Sequence, residues 1–319
     1  MLAGSLALGA VGCGAMGTRE PAPPQEPAQD PQQERGPRGR EGGNRRERPE
    51  RDAEGEEGAP TLEGVRRREE DFQGQKRAAY FQESTQDGAP LMMAIHGKGG
   101  GPNVMIDRYG VGAEVARLGW FGIYPETGGE MVIDHDGADH EFLAHLLRDV
   151  AARRPTQRRF ALGFSGGAHK AYQLAARDSD TVDAIVVVSG KAADVDNAYD
   201  LWDPNVSKPG PVSILHVHGL QDENVPFDGG EYGHGKGTGR RSIGVQQGLD
   251  AWIRWYGAKP VESPARSEGL PREVKISRWE APAGNAIELL VHSGMGHEYP
   301  HDWVNRHAFA FLASVPARR

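Results

Sequence analysis

Residues 160–177 read FALGFSGGAHKAYQLAAR, and their pattern indicates the fold of the chain. The first part, FALGF, is a short apolar run typical of a buried strand, and the last part carries apolar residues at helical spacing. Between them lies the pattern G-x-S-x-G with Ser165 at its centre. A serine in this pattern occupies a sharp turn from strand to helix, where glycines allow neighbouring backbone to approach closely. The context therefore predicts that Ser165 is a nucleophile.

Short apolar runs alternate with helical patterns over the rest of the chain. This alternation predicts an α/β fold, with a mostly parallel sheet and helices on both faces. The predicted strands are residues 91–95, 121–124, 160–164, 184–189, 212–217 and 287–291. The predicted helices lie near residues 138–153, 167–177, 242–256 and 302–313.

The N-terminal part of the chain has a different composition. Residues 2–12 are small and apolar, too few to span a bilayer, and Cys13 follows in a context that resembles a bacterial lipobox. No Lys or Arg precedes this run, and a plain secretory signal is the alternative. Residues 19–58 contain no large apolar side chain, so they cannot form a core. We predict a signal peptide or lipobox at residues 1–13, a disordered linker rich in Pro, Gly, Glu and Arg at 14–73, and a catalytic domain at 74–319.

Charge and cysteine content exclude several classes of protein. The 319 residues carry a formal charge of -8, and the Arg residues of the N-terminal part alternate with Glu, which argues against nucleic-acid binding. Cys13 is the single cysteine, so an intramolecular disulfide is excluded. We expect no cofactor, no metal and no obligate protein partner. The expected partners are an ester substrate and a membrane, the latter through a lipidated Cys13.

A serine nucleophile needs a general base and a carboxylate that orients the base. The strand VSILHVHG is followed by the loop LQDENVPF, which places Asp222 just past the carboxyl end of the strand. Glu223 is the adjacent alternative. Within the strand, His216 and His218 lie on one face, and we interpret them as a packed or hydrogen-bonded pair rather than metal ligands.

The predicted base is His297, in the loop MGHEYP after the strand AIELLVHSG. We expect the rival His292 to lie within that strand, and the rivals His301 and His307 to lie in the terminal helix. The segment from His297 to His301 also reads H-E-x-x-H, and with His307 it could be the ligand set of a zinc peptidase. A zinc motif of this kind requires a helix, which Pro300 would interrupt, so we favour the base.

An acyl-transfer site also needs donors for the oxyanion of the tetrahedral intermediate. The strand LMMAI ends in HGKGGGP, residues 96–102, and its glycines allow close backbone approach. We predict that the backbone N–H groups of Lys98 and Gly166 form this oxyanion hole.

With these elements placed, the chain from Pro90 onward resembles the secreted esterases related to poly(3-hydroxybutyrate) depolymerases and feruloyl esterases, within the α/β-hydrolase superfamily. The matching pieces are PLMMAIHGKGG, FGIYPE, GFSGGAHKAYQLA, HVHGLQDENVPF, SIGVQQGLDAWIRWYGA and GMGHEYP. The resemblance implies an α/β-hydrolase fold with a triad of Ser165, Asp222 and His297, and Lys98 and Gly166 as oxyanion donors. Tyr299 stands where Trp is common in the family, and Gly166 where Asn or Ala is frequent.

These observations predict a serine esterase that acts through an acyl-enzyme on extracellular esters. Polyhydroxyalkanoate oligomers, feruloyl or acetyl esters and small carboxylic esters are the candidate substrates. The expected location is the bacterial cell envelope, either secreted or lipid-anchored. A peptidase of the same fold, a surface-tethered binding module without activity, and the zinc peptidase are the alternatives.

Overall fold

The computed structural model describes residues 61–127, 138–156, 158–193, 209–233, 239–262 and 269–317. The predicted signal segment with Cys13 lies outside these residues, as does the predicted linker up to residue 60. Of the helices in these ranges, none has the length and apolar character needed to cross a membrane.

The described strands and helices include every predicted one and several more. The strands are β1 (Val65–Phe72), β2 (Gln75–Gln82), β3 (Leu91–Ile95), β4 (Phe121–Glu126), β5 (Arg159–Phe164), β6 (Ala184–Val188), β7 (Ser213–Gly219), β8 (Gly230–Glu231), β9 (Arg241–Ser242), β10 (Lys259–Val261), β11 (Val274–Glu280) and β12 (Ala286–His292). The helices are α1 (Val111–Leu118), α2 (Ala138–Arg153), α3 (Gly166–Arg177), α4 (Val245–Tyr256) and α5 (His301–Ser314), and a π-helical turn spans Val104–Arg108.

A ten-stranded sheet with the order β1-β2-β4-β3-β5-β6-β7-β12-β11-β10 organises the fold. Its central strands, from β4 to β12 in this order, are paired in parallel. The outer strands on both sides are paired antiparallel, so the sheet is mixed at its edges. Because the parallel strands point the same way, their carboxyl ends and the loops that follow them meet at one edge.

Helices cover both faces of the sheet, which confirms the predicted architecture. On one face α2, α3 and α4 pack against inward side chains such as Met93 and Ile185. On the other face α1 and α5 pack against side chains such as Met92 and Val186. Neighbouring residues of the central strands thus enter opposite cores, which explains why these strands read as unbroken apolar runs.

Strand β1 lies inside the range 14–73 that the sequence predicted as a linker, so that prediction is wrong for residues 65–72. Its sequence, VRRREEDF, is polar because β1 is an edge strand with much of its surface in solvent. The strand pairs with β2 along its whole length, and two ring contacts add to this pairing. The Arg68 guanidinium lies 4.4 Å above the Phe81 ring, and the Phe72 ring lies 5.5 Å from that of Phe142.

Candidate active site

Ser165 occupies the turn between β5 and α3 with φ 53° and ψ -115°, a left-handed conformation that is strained for a non-glycine residue. The turn packs tightly against the end of β3. A side-chain carbon at Gly167 would lie 2.1 Å from the carbonyl oxygen of Ile95, so only glycine fits there. The predicted strand–turn–helix context of the serine is therefore present, and the strain exposes the hydroxyl at the carboxyl edge of the sheet.

The structure brings Ser165, His297 and Asp222 into one hydrogen-bonded line. Ser165 Oγ lies 2.9 Å from His297 Nε2, and His297 Nδ1 lies 2.9 Å from Asp222 Oδ2. Because a carboxylate only accepts hydrogen bonds, His297 Nδ1 carries the proton, and Nε2 is free to accept the proton of the serine. This is the arrangement that activates a serine hydroxyl.

The Asp222 carboxylate is buried and held from both sides. Its Oδ1 accepts the backbone N–H groups of Asn224 and Val225, at 2.9 and 2.8 Å. Its Oδ2 faces His297, and the residue is 4% exposed. Glu223, the alternative acid, is exposed to solvent. Of the two carboxylates that the sequence offered, the structure joins Asp222 to the histidine.

The HG loop after β3 lies directly against the nucleophile. A side-chain carbon placed at Gly97 would lie 3.2 Å from the Cβ atom of Ser165. The Gly97 carbonyl accepts the N–H of Gly100 at 3.1 Å and faces His96 Nδ1 at 2.8 Å. In a trans peptide the carbonyl and the next N–H point in opposite directions, so the N–H of Lys98 points away from the His96 ring.

Gly166, the other predicted donor, is the first residue of α3, where backbone N–H groups lack partners within the helix. The role of Gly166 and Lys98 as oxyanion donors stays a prediction. Lys98 is exposed, which agrees with the prediction that only its backbone N–H, and not its side chain, contributes to the oxyanion hole.

A buried contact between His96 and Thr127 supports the HG loop, and the sequence did not predict it. His96 Nε2 lies 2.9 Å from the Thr127 hydroxyl, and both residues are buried. Burial lowers the pKa of His96, so the ring is neutral at pH 7. Since Nδ1 faces the acceptor oxygen of Gly97, it carries the proton, and Nε2 accepts from Thr127. The HG sequence could have pointed to His96. Thr127 follows a different strand, β4, so no sequence pattern pairs the two residues.

The other histidines of the C-terminal region lie elsewhere, as predicted for the strand and helix. His292 is the last residue of β12, and His301 and His307 belong to α5. His307 Nε2 lies 3.0 Å from the buried Glu288 Oε2, whereas His297 contacts Ser165 and Asp222. Within the described ranges no group of three His, Cys, Asp or Glu residues could hold a metal ion. His297 and His307 thus contact different carboxylates and are not gathered into the ligand set of the zinc-peptidase alternative.

A strained serine at a strand-to-helix turn, with histidine and acid loops at the same edge of a largely parallel sheet, is the arrangement of the α/β-hydrolase fold. No family model matches the chain. Among solved structures, the acetyl xylan esterase from Aspergillus awamori aligns with a TM-score of 0.54 at 15% identity, over 74% of this chain and 94% of that one. The S-formylglutathione hydrolase from Staphylococcus aureus aligns with a TM-score of 0.53 at 11% identity, over 78% and 98%. These likenesses show the fold.

The chain is related to esterases of this superfamily, as the resemblance predicted. NocK of Nocardia uniformis subsp. tsuyamanensis, which bears an esterase name, is 28% identical over 241 residues, covering 67% of this chain and 66% of NocK. A protein of Aspergillus niger named as a feruloyl esterase C is 26% identical over 213 residues, covering 59% of this chain and 73% of that protein. The chain thus spans just under two thirds of the length of NocK.

Contact between the acid loop and the histidine loop depends on Gly219. A side-chain carbon at Gly219 would lie 1.9 Å from the carbonyl oxygen of Met295, which also accepts the N–H of Gln221 at 3.0 Å. We expect Gly219→Ala to lower the free energy of unfolding by about 1–3 kcal/mol and to lower kcat, because the two loops must separate. Denaturant unfolding and ester kinetics measure both effects.

Gly294→Ala is the matched control for this loop contact. The nearest atom to a side-chain carbon there is His292 Cε1, at 3.7 Å. We expect this variant to stay within about 0.5 kcal/mol of the unaltered protein. Equal stability and activity in the Gly219 and Gly294 variants would contradict the close packing of the two loops.

Proposed function

We propose that this protein hydrolyses carboxylic esters through a covalent intermediate on Ser165. The observation that carries the proposal is the hydrogen-bonded line from Ser165 through His297 to the buried Asp222. His297 Nε2 takes the hydroxyl proton as Ser165 Oγ attacks the ester carbonyl, and it then gives that proton to the leaving alcohol. Water, deprotonated by the same nitrogen, attacks the acyl-enzyme, and His297 returns that proton to Ser165 Oγ as the carboxylic acid is released.

Two sets of groups support these steps. Asp222 holds His297 in the tautomer that accepts the proton and stabilises the imidazolium that forms. The oxyanion of each tetrahedral intermediate is bound by the backbone N–H groups of Lys98 and Gly166. The position of Gly97 against Ser165 supports this assignment, because it sets the HG loop beside the reacting atom.

The esterase names of the relatives support ester substrates, and the feruloyl esterase among them makes feruloyl esters a candidate. Esters of acetic, butyric, ferulic and 3-hydroxybutyric acid, together with peptide amides of matched acyl groups, test the substrate class. We expect the protein to hydrolyse at least one of the esters. We expect it to hydrolyse every amide much more slowly than the ester of the same acyl group. If the protein hydrolyses only the amides, its activity is that of a peptidase and not of an esterase. A folded protein that hydrolyses no member of the panel would favour the binding module.

We also propose that the protein is exported and anchored through a lipid on Cys13. The apolar residues 2–12 and the AVGC context support this proposal. Expressed in a bacterium, the full chain is expected in the membrane fraction, and Cys13→Ser is expected to move it to the soluble fraction, because the lipid attaches to the thiol. Fractionation with immunodetection measures this, and membrane retention of the Cys13→Ser variant would contradict the lipid anchor.

A further inference from the structure

A line of buried polar side chains runs beneath the acid loop and takes no part in the proton transfers described above. The Tyr172 hydroxyl lies 2.7 Å from His216 Nδ1, and His216 Nε2 lies 3.0 Å from His218 Nδ1. His218 Nε2 ends the line, 2.8 Å from the carbonyl oxygen of Val225 and 3.4 Å from Asp222 Oδ2. The first three side chains are fully buried, so their hydrogen bonds compete with no solvent.

The direction of each hydrogen bond follows from the end of the line. A carbonyl oxygen only accepts, so His218 Nε2 carries the proton that is donated to Val225. Burial lowers the pKa of His218 and holds that of His216 well below the ordinary value of 6.5, so both rings are neutral at pH 7. Each neutral ring has one N–H. His218 Nδ1 therefore accepts from His216 Nε2, and His216 Nδ1 accepts from the Tyr172 hydroxyl.

One end of the line contacts the catalytic carboxylate. The N–H end of His218 lies beside Asp222 Oδ2, the same oxygen that faces His297 Nδ1. The Oδ1 atom is already held by two backbone N–H groups of the loop. The Val225 carbonyl that His218 holds belongs to that loop as well. Both oxygens of the acid, and the loop that carries it, are thereby oriented.

The other end of the line lies on the nucleophile side of the site. Tyr172 belongs to α3, the helix that begins directly after Ser165. His216 and His218 belong to β7, the strand that precedes the acid loop. The line therefore connects the helix of the nucleophile to the loop of the acid through buried hydrogen bonds alone.

We propose that Tyr172, His216 and His218 form a positioning relay, which orients Asp222 toward His297 and fixes the acid loop relative to α3. The function of the relay rests on the proposed ester hydrolysis. No bond of the substrate is touched by these three residues, and no proton of the reaction passes along them. They act through Asp222, so their loss lowers kcat and leaves substrate binding unchanged.

The tautomers of the two histidines test the relay in the unaltered full-length protein. With ¹⁵N-labelled histidine, long-range ¹H–¹⁵N spectra at pH 7 distinguish the ring nitrogen that carries the proton. We expect Nε2–H and an unprotonated Nδ1 in both His216 and His218. A ring protonated at Nδ1, or at both nitrogens, overturns the relay, whether or not the protein hydrolyses esters.

Kinetics of His218→Phe test the positioning role. Phenylalanine fills the space of the ring and removes both nitrogens, so we expect kcat to fall about 10- to 100-fold while KM stays within about twofold. The proton resonance of His297 Nδ1–H is expected to shift upfield. His218→Gln restores a donor near the Nε2 position and is expected to recover part of kcat. Rates are normalised to the fraction of folded protein.

His307→Phe is the matched control, because His307 is also buried against a carboxylate, that of Glu288, but lies outside the site. It is expected to lose stability and to keep kcat. A His218→Phe variant with unchanged kcat, or with a loss no larger than that of His307→Phe, overturns the relay. If His218→Phe does not fold, Tyr172→Phe is measured instead. We expect Tyr172→Phe to lower kcat several-fold, and an unchanged kcat would contradict the relay. Absence of hydrolysis by the unaltered protein overturns the proposed function and leaves the tautomers to decide the relay.

Discussion

Ser165→Ala is expected to lower kcat for ester hydrolysis by about 10,000-fold or more, with the fold intact. The hydroxyl is the only group at the turn that can form the acyl-enzyme, and without it His297 has no proton to accept from a nucleophile. The side chain of alanine is smaller than that of serine, so it fits the strained turn without new contacts. Steady-state kinetics on the best ester of the panel, with circular dichroism of both proteins, measure the effect.

Ser213→Ala is the control for loss of a buried serine hydroxyl. Ser213 is 3% exposed at the start of β7, far along the strand from the acid loop, and its Oγ accepts the N–H of Ala286 at 3.2 Å. We expect a modest loss of stability, about 1 kcal/mol, and unchanged kcat. Equal activity of the Ser165→Ala variant and the unaltered protein would refute the assignment of the nucleophile.

Asp222→Asn is expected to lower kcat by about 10,000-fold with little change of structure. The side-chain oxygen of asparagine takes the Oδ1 position, because two backbone N–H groups are directed there. Its NH₂ group then takes the Oδ2 position and donates to His297 Nδ1. That nitrogen must become an acceptor, so the ring proton moves to Nε2 and faces Ser165, where it can no longer accept the hydroxyl proton.

Glu223→Gln makes the same chemical change one residue further along. Its side chain is exposed, and no role in the site is assigned to it, so we expect kcat within about twofold of the unaltered protein. The comparison also resolves the ambiguity between two adjacent acids in the sequence. A larger loss in Glu223→Gln than in Asp222→Asn would assign the acid to Glu223.

The central strands and the meeting of the three site residues could be predicted because local patterns carry them. Strands β3 to β7 are buried on both faces and read as apolar runs, and the turn at Ser165 has a short pattern of its own. The order of serine, acid and histidine loops then follows from parallel strands whose carboxyl ends share one edge. The shared edge of the sheet, and not the spacing of the three residues along the chain, explains why Ser165, Asp222 and His297 meet.

The edge strands and the buried polar contacts were harder to predict. Strand β1 is half exposed and rich in Arg and Glu, which is the composition of a linker, although it pairs with β2 across a turn of two residues. His96 with Thr127, and Tyr172 with His216, pair residues that lie on different elements. The sequence predicted that His216 and His218 share one face of β7. It did not single out Tyr172, because an aromatic residue at that position fits the apolar face of α3.

A fluorophosphonate probe tests whether Ser165 is an activated nucleophile, because such a probe forms a covalent bond only with an activated serine. The folded full-length protein is treated with the probe, digested and mapped by mass spectrometry. We expect one adduct per chain, on Ser165, and slower labelling in Asp222→Asn. An adduct on a different serine, or no adduct on the folded protein, would contradict the assignment of Ser165 as the nucleophile.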